Sequence, residues 1–412
     1  MDAAATYDPP LDTGYAGDQP AVRLVVSNGG NSLEAYAREL LRRLDVDAVE
    51  APGSSGSFGH SLLSLECLRR AWVDIRLVRT LRSPQAQLLH FTSHHLARYG
   101  LLARTPYIVT VHDLFRLADC DARRGDSPLI CRPNTRDRLL LAADAAGITR
   151  AAAVIAVSQG TASEVQARLG VAAERLHVVR EGVDPHRFAP AAPPTAAWPY
   201  VLFVGSEQPR KNLATLLRAV GRLVSEPGRS DLRIVKVGGP GGPEAPYRER
   251  LRSQARLAGV EDRLVVAGRV SHDELVSWYS GAVCLVLPSV AEGFGLPVVE
   301  AMACGCPVII PDRSGQVEAA GSAALRYGAP ADVDRLAAAI ARMQDDAALR
   351  ADLRRRGLRR ARELTWERTA ERTRAVYRAV LARERSHAGR ASERELAARL
   401  RPQASPHQGV AR

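Results

Sequence analysis

The chain has 412 residues, of which 46% are apolar and 25% are charged, as in ordinary globular proteins, and its length exceeds what one core usually holds, so we expect two domains. The longest uncharged apolar stretch, around residues 277–290, is too short to cross a bilayer, and the acidic N-terminus has neither a basic start nor an apolar core; these features exclude a transmembrane protein and predict a cytoplasmic one without a secretory signal. The net charge of +12 lies mostly in residues 351–412, which hold 17 basic and 7 acidic groups, so the folded body lacks the charge of a nucleic-acid-binding protein.

The first half of the chain predicts one open α/β domain over residues 21–189, after an N-terminus (residues 1–20) that we expect to be disordered. Each predicted strand is followed by a segment with helical spacing. The strands are predicted at residues 21–26, 87–92, 107–113 and 152–158. Because these runs are continuously apolar rather than alternating, they predict a parallel sheet with helices on both faces.

A Pro/Ala-rich linker at residues 190–199 separates this domain from a second one of the same kind, predicted over residues 200–365. Its strands are predicted at residues 200–205, 232–239, 263–270, 283–288 and 306–311. Ligands of such sheets bind beyond the carboxyl ends of the strands, so we expect the site in the cleft between the domains.

The C-terminal part changes to long Arg- and Ala-rich helical periodicity. We predict a helix over residues 366–385 that packs back on the N-terminal domain. Residues 386–412 are polar, and we expect them to form a disordered basic tail.

The strongest chemical signal is the segment between Ser289 and Arg313, in which a buried strand, a glycine loop, a helix and another strand follow each other. The loop glycines permit unusual backbone torsions, and the free amides at a helix start favour an anion such as a diphosphate. Glu292 and Glu300 then lie on either side of that anion, where they can accept hydrogen bonds from hydroxyl groups. The alternative is that Glu292 is a solvated loop acid and Glu300 stabilises the helix dipole.

This segment, EGFGLPVVEAMACGCPVI, resembles the E-x7-E signature of the retaining nucleotide-sugar glycosyltransferases of family 4, the glycosyl transferases group 1 class. The similarity extends from about Val22 to Val380 and includes VIAVSQGTASEV, VVREGVDPHRF, FVGSEQPRKNLATLL and YIVTVHDL. It implies the GT-B fold, in which two Rossmann-like domains face each other across a cleft. It also implies transfer of a hexose, with mannose from GDP-mannose as the first candidate, in the assembly of polysaccharides or lipid-linked glycans.

A second cluster of candidate residues follows the strand that ends at Gly205. Arg210 and Lys211 project beyond the sheet edge there, and they are suited to phosphate oxygens. Lys211 is one of only two lysines in the chain, against 55 arginines. The segment lacks the second glycine and the Ser/Thr of a P-loop, which argues against magnesium-ATP binding. The resemblance implies that Arg210 and Lys211 contact the donor diphosphate, although Ser206 stands where some family members have a further Arg.

The resemblance also implies roles for residues that the pattern alone leaves open. His112 follows a strand and is implied to lie over the donor sugar. Gly29 and Gly30, in the turn after the first strand, are implied to lie near the donor phosphate or the acceptor. The histidines of HFTSHH (residues 90–95) have no carboxylate or Cys set beside them that would form a metal site; they line the acceptor cleft or are structural.

We therefore expect a retaining glycosyltransferase that acts on a nucleoside diphosphate sugar and a glycan or lipid-linked acceptor, needs no metal or other cofactor, binds no nucleic acid and contacts the membrane at most peripherally. An epimerase or phosphorylase of the same fold, and a non-catalytic nucleotide-sugar-binding protein, are the alternatives. The predicted catalytic residues are Glu292, His112, Arg210 and Lys211. The predicted donor-binding residues are Glu300, Gly293, Phe294, Gly295, Leu296, Gly205, Gly29 and Gly30.

Overall fold

The computed structural model describes residues 22–27, 32–51, 77–79, 81–82, 86–122, 127–194, 198–241 and 244–399. They form two α/β domains, each built on a six-stranded parallel sheet. The strands of the first sheet are β1 (Val22–Ser27), β2 (Asp47–Ala51), β3 (Leu88–Phe91), β4 (Tyr107–Val111), β5 (Ala153–Ala156) and β6 (Leu176–Val178). Those of the second sheet are β7 (Tyr200–Val204), β8 (Arg233–Val237), β9 (Leu264–Gly268), β10 (Cys284–Val286), β11 (Val308–Ile310) and β12 (Leu325–Arg326).

The strand orders are β2-β1-β3-β4-β5-β6 and β12-β11-β10-β7-β8-β9. In both sheets the order reverses at the first strand of the domain, so crossover helices cover both faces. The helices of the N-terminal domain are α1 (Ser32–Leu41), α2 (Ala97–Gly100), α3 (Phe115–Asp121), α4 (Thr135–Arg150) and α5 (Gln159–Leu169). Those that follow are α6 (Leu213–Leu223), α7 (Glu244–Leu257), α8 (His272–Gly281), α9 (Leu296–Ala303), α10 (Gly315–Ala320), α11 (Val333–Asp345), α12 (Ala347–Glu363) and α13 (Trp366–Arg399).

Every strand predicted from the sequence is present, but three further strands were not predicted. These are β2, β6 and β12, and each lies at the outer edge of its sheet. An edge strand is buried less than a central one; β2, for example, has only Ala51 buried. Such strands therefore lack the continuous apolar run from which the central strands were recognised.

Local signals explain where several helices begin. Ser158 accepts a hydrogen bond from the N–H of Thr161 and thereby caps α5. Asn134 and Ser271 form capping boxes at the starts of α4 and α8. These caps satisfy amides that have no partner within the helix, and they fix the points at which the chain turns back from the sheet edge.

The last helix, α13, packs on the N-terminal domain. Trp366 and Tyr377 are buried against α1 and the first sheet. The Tyr377 hydroxyl lies 2.6 Å from Nδ1 of His90. The chain thus returns to its first domain after completing the second.

The expected disorder from residue 386 is wrong for the part of the tail that the structure describes, because α13 continues to Arg399. Residues 386–399 are rich in Ala, Arg and Glu, which are strong helix formers, and the next proline is Pro402. Polarity alone does not end a helix that has already begun on a packed face. Residues 1–20 and 400–412 lie outside the described residues, so disorder there stays a prediction.

None of the helices in the described ranges combines the length and the apolarity needed to cross a bilayer. Cys304 and Cys306 are buried among apolar side chains at the turn between α9 and β11. Over the same ranges, no group of three His, Cys, Asp or Glu side chains is arranged to hold a metal ion.

Candidate active site

A cavity of about 420 Å³ lies between the two domains, at the edge where β4, β5 and β7 end. Nine of the residues predicted from the sequence line it: His112, Gly205, Arg210, Lys211, Glu292, Gly293, Phe294, Gly295 and Leu296. Glu300 lies one turn further along α9, outside this lining. Gly29 and Gly30 lie outside the described residues, and their role stays a prediction.

Glu292 is the centre of a cluster of hydrogen bonds on one wall of the cavity. Its Oε1 accepts from Nζ of Lys211 at 2.6 Å and from Oγ of Ser289 at 2.6 Å, and its Oε2 accepts from the Arg210 guanidinium at 3.0 Å. Burial opposes the negative charge, but the charges of Lys211 and Arg210 outweigh it and lower the pKa of Glu292 to about 2. Glu292 is therefore an ionised hydrogen-bond acceptor at neutral pH and not a solvated loop acid.

Arg210 and Lys211 lie in a 3-10 turn (Pro209–Lys211) that precedes α6, and Asn212 follows in the left-handed conformation with φ of 53°. The Asn212 side-chain amide donates to the carbonyls of Pro288 and Pro330, which ties this turn to the strand end that carries Glu292. We expected these two cations to contact the phosphate oxygens of a ligand. Glu292 itself compensates them, so their placement alone does not require a ligand.

Lys211 and Arg210 can nevertheless donate further hydrogen bonds. The Lys211 ammonium has three N–H groups, of which one bonds Glu292 within the described residues. Nε of Arg210 is buried without a hydrogen-bond partner in the same part of the chain. An anion that enters the cavity can therefore be bound without displacing Glu292.

The glycine loop presses against the N-terminal domain. A Cβ at Gly293 would overlap the carbonyl oxygen of His112, and Gly295 has a φ of 103°, which side-chain-bearing residues rarely adopt. Oγ of Ser158 donates to the carbonyl of Gly293 at 2.6 Å. Glycine at position 293 thus allows the close approach of the two domains.

Further contacts hold the two domains together around this loop. The N–H of Arg210 donates to the carbonyl of Leu129 at 3.0 Å, and its guanidinium lies 5.1 Å from the centroid of the Phe115 ring. On the other side, Glu318 of α10 accepts from Nε of Arg180 and from the N–H of Gln159, both at 2.6 Å. These contacts join the two domains on both sides of the glycine loop, so the cleft between them is closed in this structure.

Glu300 has one strong hydrogen-bond partner, the Tyr279 hydroxyl, which donates to Oε2 at 2.8 Å. Burial raises the pKa of Glu300 to about 7; the hydrogen bond from Tyr279 opposes this shift, and the negative charge of Glu181 adds to it. Glu300 thus differs from an ordinary residue that stabilises a helix dipole, because its pKa is close to 7 and its second carboxyl oxygen is not bonded by Tyr279. It is suited to a hydroxyl ligand.

His112 contacts two acceptors. Nδ1 lies 2.8 Å from Oε1 of Glu181, and Nε2 lies 2.9 Å from the carbonyl oxygen of Thr92. Since a carboxylate and a carbonyl both accept, each ring nitrogen must donate, and the ring is the imidazolium. Burial opposes this charge, but the hydrogen bond and charge of Glu181 outweigh it and raise the pKa of His112.

Sequence reasoning missed Glu181, which lines the cavity and is 7% exposed. It lies in VVREGVDPHRF, a segment used only as evidence of resemblance. The available signal was an acidic residue directly before a glycine in this segment. Its meaning depends on His112, which is 69 positions away in the chain.

The histidines of HFTSHH do not line this cavity. Nε2 of His90 lies 2.8 Å from the Thr110 hydroxyl, and its Nδ1 contacts Tyr377 of α13. Burial lowers the pKa of His90 to about 3, so the ring is neutral. His90 therefore joins the last helix to the first sheet, which is a structural role.

The second lysine, Lys236, is fully buried and forms an ion pair with Glu207 at 2.8 Å. It also donates to the carbonyls of Gly238 and Gly239. Ser206 and Gln208, the neighbours of Glu207, line the cavity. Both lysines of the chain thus form buried pairs with glutamates next to the cleft.

Comparison with known proteins gives consistent results. Residues 29–187 match the model of Glycosyltransferase Family 4, and residues 193–360 match that of Glycosyl transferases group 1. The chain is 33% identical over 72% of its length to a D-inositol 3-phosphate glycosyltransferase of Acidothermus cellulolyticus, of which 66% is covered. It is 33% identical over 56% of its length to an MMP alpha-(1->4)-mannosyltransferase of Mycolicibacterium hassiacum, of which 54% is covered. The chain thus spans about half to two thirds of the length of these curated relatives.

Among solved structures, HepE of Anabaena in complex with UDP-glucose superposes with a TM-score of 0.70 and 18% identity, over 88% of this chain and all of that one. Together with the two facing parallel sheets, this likeness confirms the predicted fold of two Rossmann-like domains.

Proposed function

Because the chain belongs to the glycosyltransferases of group 1 and family 4, we propose that it transfers a hexose, with retention of the anomeric configuration, from a nucleoside diphosphate sugar to a hydroxyl group of a glycan or lipid-linked acceptor. The observation that supports this most is the arrangement of Arg210, Lys211 and Glu292 beside the glycine loop, in a cavity between two facing sheets.

The diphosphate of the donor would bind to the free donors of Lys211, to Arg210 and to the amides of the glycine loop. These groups are fixed before the reaction, by Glu292 on one side and by the contacts of Gly293 on the other. As the bond between sugar and phosphate breaks, negative charge grows on the leaving diphosphate. Preorganised cations and amides stabilise that charge without having to reorganise, which lowers the barrier.

Two carboxylates would bind the neutral parts of the donor: Glu292, which lines the cavity, and Glu300, which lies just outside the lining. Glu292 is ionised and accepts only, so it would orient a sugar hydroxyl while holding the two cations in place. Glu300 would accept from a ribose hydroxyl through the oxygen that Tyr279 does not occupy. A double role for Glu292 would make its replacement costly to both binding and transfer.

His112 would act as a fixed charged donor and not as a general base, because both of its nitrogens already carry protons that point at acceptors. Glu181, a carboxylate in the cavity, is engaged by His112 and so is poorly placed to act as a nucleophile. This supports a front-face reaction: the acceptor hydroxyl attacks on the side from which the diphosphate departs, and its proton passes to a leaving phosphate oxygen.

GDP-mannose is the first donor to test, since one relative is named as a mannosyltransferase. UDP-glucose is the second, because HepE was solved with it. Thermal-shift measurements with GDP-, UDP- and ADP-sugars would identify the base, since a bound ligand stabilises the folded protein by mass action. Transfer would then be assayed with a labelled donor and candidate acceptors that include D-inositol 3-phosphate.

The stereochemistry of the product decides between the proposed reaction and epimerisation. Retention in a new glycosidic bond supports the proposal. If donor binds and no acceptor-dependent turnover is found with any donor, the protein is a nucleotide-sugar-binding protein and the proposal is wrong.

A further inference from the structure

A second cavity, of about 200 Å³, lies where the chain crosses back from the C-terminal to the N-terminal domain. Its walls come from the loop after β6, from the end of α12 and from the first turns of α13. Val183 and Thr365 form a parallel bridge, and the N–H of Val183 donates to the carbonyl of Leu364 at 2.9 Å. The Thr369 hydroxyl donates to the carbonyl of Arg180 at 2.8 Å. Backbone and side-chain hydrogen bonds thus fix the shape of this cavity.

Four guanidinium groups line the cavity, together with two carboxylates. The cations are Arg180, Arg360, Arg368 and Arg372, and the acids are Glu181 and Glu363. Arginine in such numbers binds oxyanions well, because its planar group can donate two parallel hydrogen bonds.

Each acid already has a cation. Glu363 pairs with Arg360 at 2.8 Å, and Glu181 pairs with His112 at 2.8 Å. Arg180 pairs with Glu318, which is not part of the lining. The acids of the cavity are therefore not available to the remaining two arginines.

Those two arginines carry uncompensated charge. Within the described residues, the Arg368 guanidinium donates only to the backbone carbonyl of Glu363, at 2.8 Å, and Arg372 has neither an ion pair nor a hydrogen bond. They are four residues apart on α13, so they lie on the same face and repel each other. A bound anion between them would remove this repulsion.

We propose that this cavity is a binding site for a phosphate group, either inorganic phosphate or a soluble phosphate monoester, held mainly by Arg368 and Arg372. The site is separate from the donor cleft but shares one wall with it, since Glu181 lines both cavities. Arg180 belongs to the N-terminal domain and Arg360 to the C-terminal domain. A phosphate bound here interacts with both and favours the closed arrangement of the domains.

The test is a calorimetric titration of inorganic phosphate into the full chain at constant ionic strength. The variant is R368Q/R372Q, which removes both unpaired charges while keeping good helix formers. The matched control is R355Q/R359Q, which removes the same number of charges at the same spacing from exposed positions on α12. Circular dichroism melting checks that each variant is folded.

We expect R368Q/R372Q to weaken phosphate binding at least about 10-fold and the control to change it less than about 2-fold. Phosphate can also bind beside Lys211 in the donor cleft, so only the difference between R368Q/R372Q and the wild type is assigned to this second cavity. The proposal is overturned if the wild-type chain binds no phosphate up to about 50 mM. Equal losses in the two double variants would overturn it as well. None of these measurements uses transfer activity, so a failure of this proposal can be distinguished from a failure of the proposed function.

Discussion

Replacing Lys211 by Met tests whether this ammonium binds the donor diphosphate. Methionine keeps an unbranched stem that fills much of the space of the lysine side chain. Only the charge and its hydrogen bonds are lost. The Lys211 side chain is 8% exposed and lies 2.6 Å from Glu292, so the change also removes one partner of a buried ion pair.

The stability cost follows from the remaining partners of Glu292. Removing one member of a buried pair usually costs about 3–5 kcal/mol. Glu292 keeps Arg210 at 3.0 Å and Ser289 at 2.6 Å, so we expect the lower end, about 3 kcal/mol, and a protein that still folds. The pKa of Glu292 should rise from about 2 toward its usual value, because its nearest cation is gone.

The binding effect should be selective for the diphosphate. Loss of a charge-assisted hydrogen bond is worth about 1.5–3 kcal/mol, or roughly 10- to 150-fold in affinity. Calorimetric titration of the nucleoside and of the nucleoside diphosphate into each protein measures this directly. We expect the loss for the nucleoside diphosphate and little change for the nucleoside.

Lys236→Met is the matched control, because Lys236 is the other lysine and is also buried against a glutamate. It should cost a similar amount of stability, without making the two ligands differ. Equal losses for nucleoside and nucleoside diphosphate in Lys211→Met, or the same selectivity in Lys236→Met, would refute the assignment of the phosphate contact to Lys211.

Four further predictions concern the site and the tail. Glu300→Gln should lower transfer at least about 100-fold, about 3 kcal/mol, with a melting temperature near that of the wild type. Because burial raises the folded pKa of Glu300 to about 7, the stability that this group contributes to the wild type is lost as pH rises from about 4.5 to 7. A Glu300→Gln variant that melts lower than the wild type at pH 8, or that turns over normally, would contradict this assignment. Glu181→Gln should destabilise the protein more at pH 6 than at pH 9 in urea unfolding. The reason is that the folded pKa of His112 is raised: protonated His112 stabilises the fold at pH values below the unfolded pKa of about 6.5, and this contribution disappears as pH rises through the folded pKa. An equal loss of stability at both pH values would show that the pair is not charged. Chelator treatment should spare transfer, and loss with rescue by magnesium or manganese would disprove metal independence. Finally, the basic residues 386–412 should strengthen binding to anionic vesicles by up to about 1 kcal/mol per well-placed charge. In a co-sedimentation assay, a variant that ends at Arg385 should bind less than the full chain; equal binding would contradict this prediction.

The sequence predicted the central strands and the cleft because these features leave local patterns. Continuous apolar runs of four to six residues mark strands that are covered on both faces, and glycines after such runs mark the sheet edge. Glu292, Arg210 and Lys211 were found because each follows a strand end. Their mutual contact was not, because Arg210 and Glu292 are 82 positions apart and meet only when β7 and β10 pair.

The missed site contacts depend on neighbours that are distant in the chain. In the sequence, Glu181 is an acidic residue in a loop; its role becomes visible only in the structure, where the end of β4 places His112 beside it. The helical course of residues 386–399 was missed for a different reason, since low apolarity was taken as disorder although Ala, Arg and Glu favour helix.

The packing of α13 on the first sheet also constrains how this protein folds during synthesis. Trp366, Ala370, Val376, Tyr377 and Val380 complete a core that begins with Val22 and Leu24 of β1. Until the ribosome has released these residues of α13, that face of the N-terminal domain is an uncovered apolar surface next to a sheet that is otherwise ready to form. The two domains are therefore not independent halves joined at residues 190–199. The N-terminal domain can close its core only after α13 has been made, so it is completed later than the C-terminal domain that follows it in the chain.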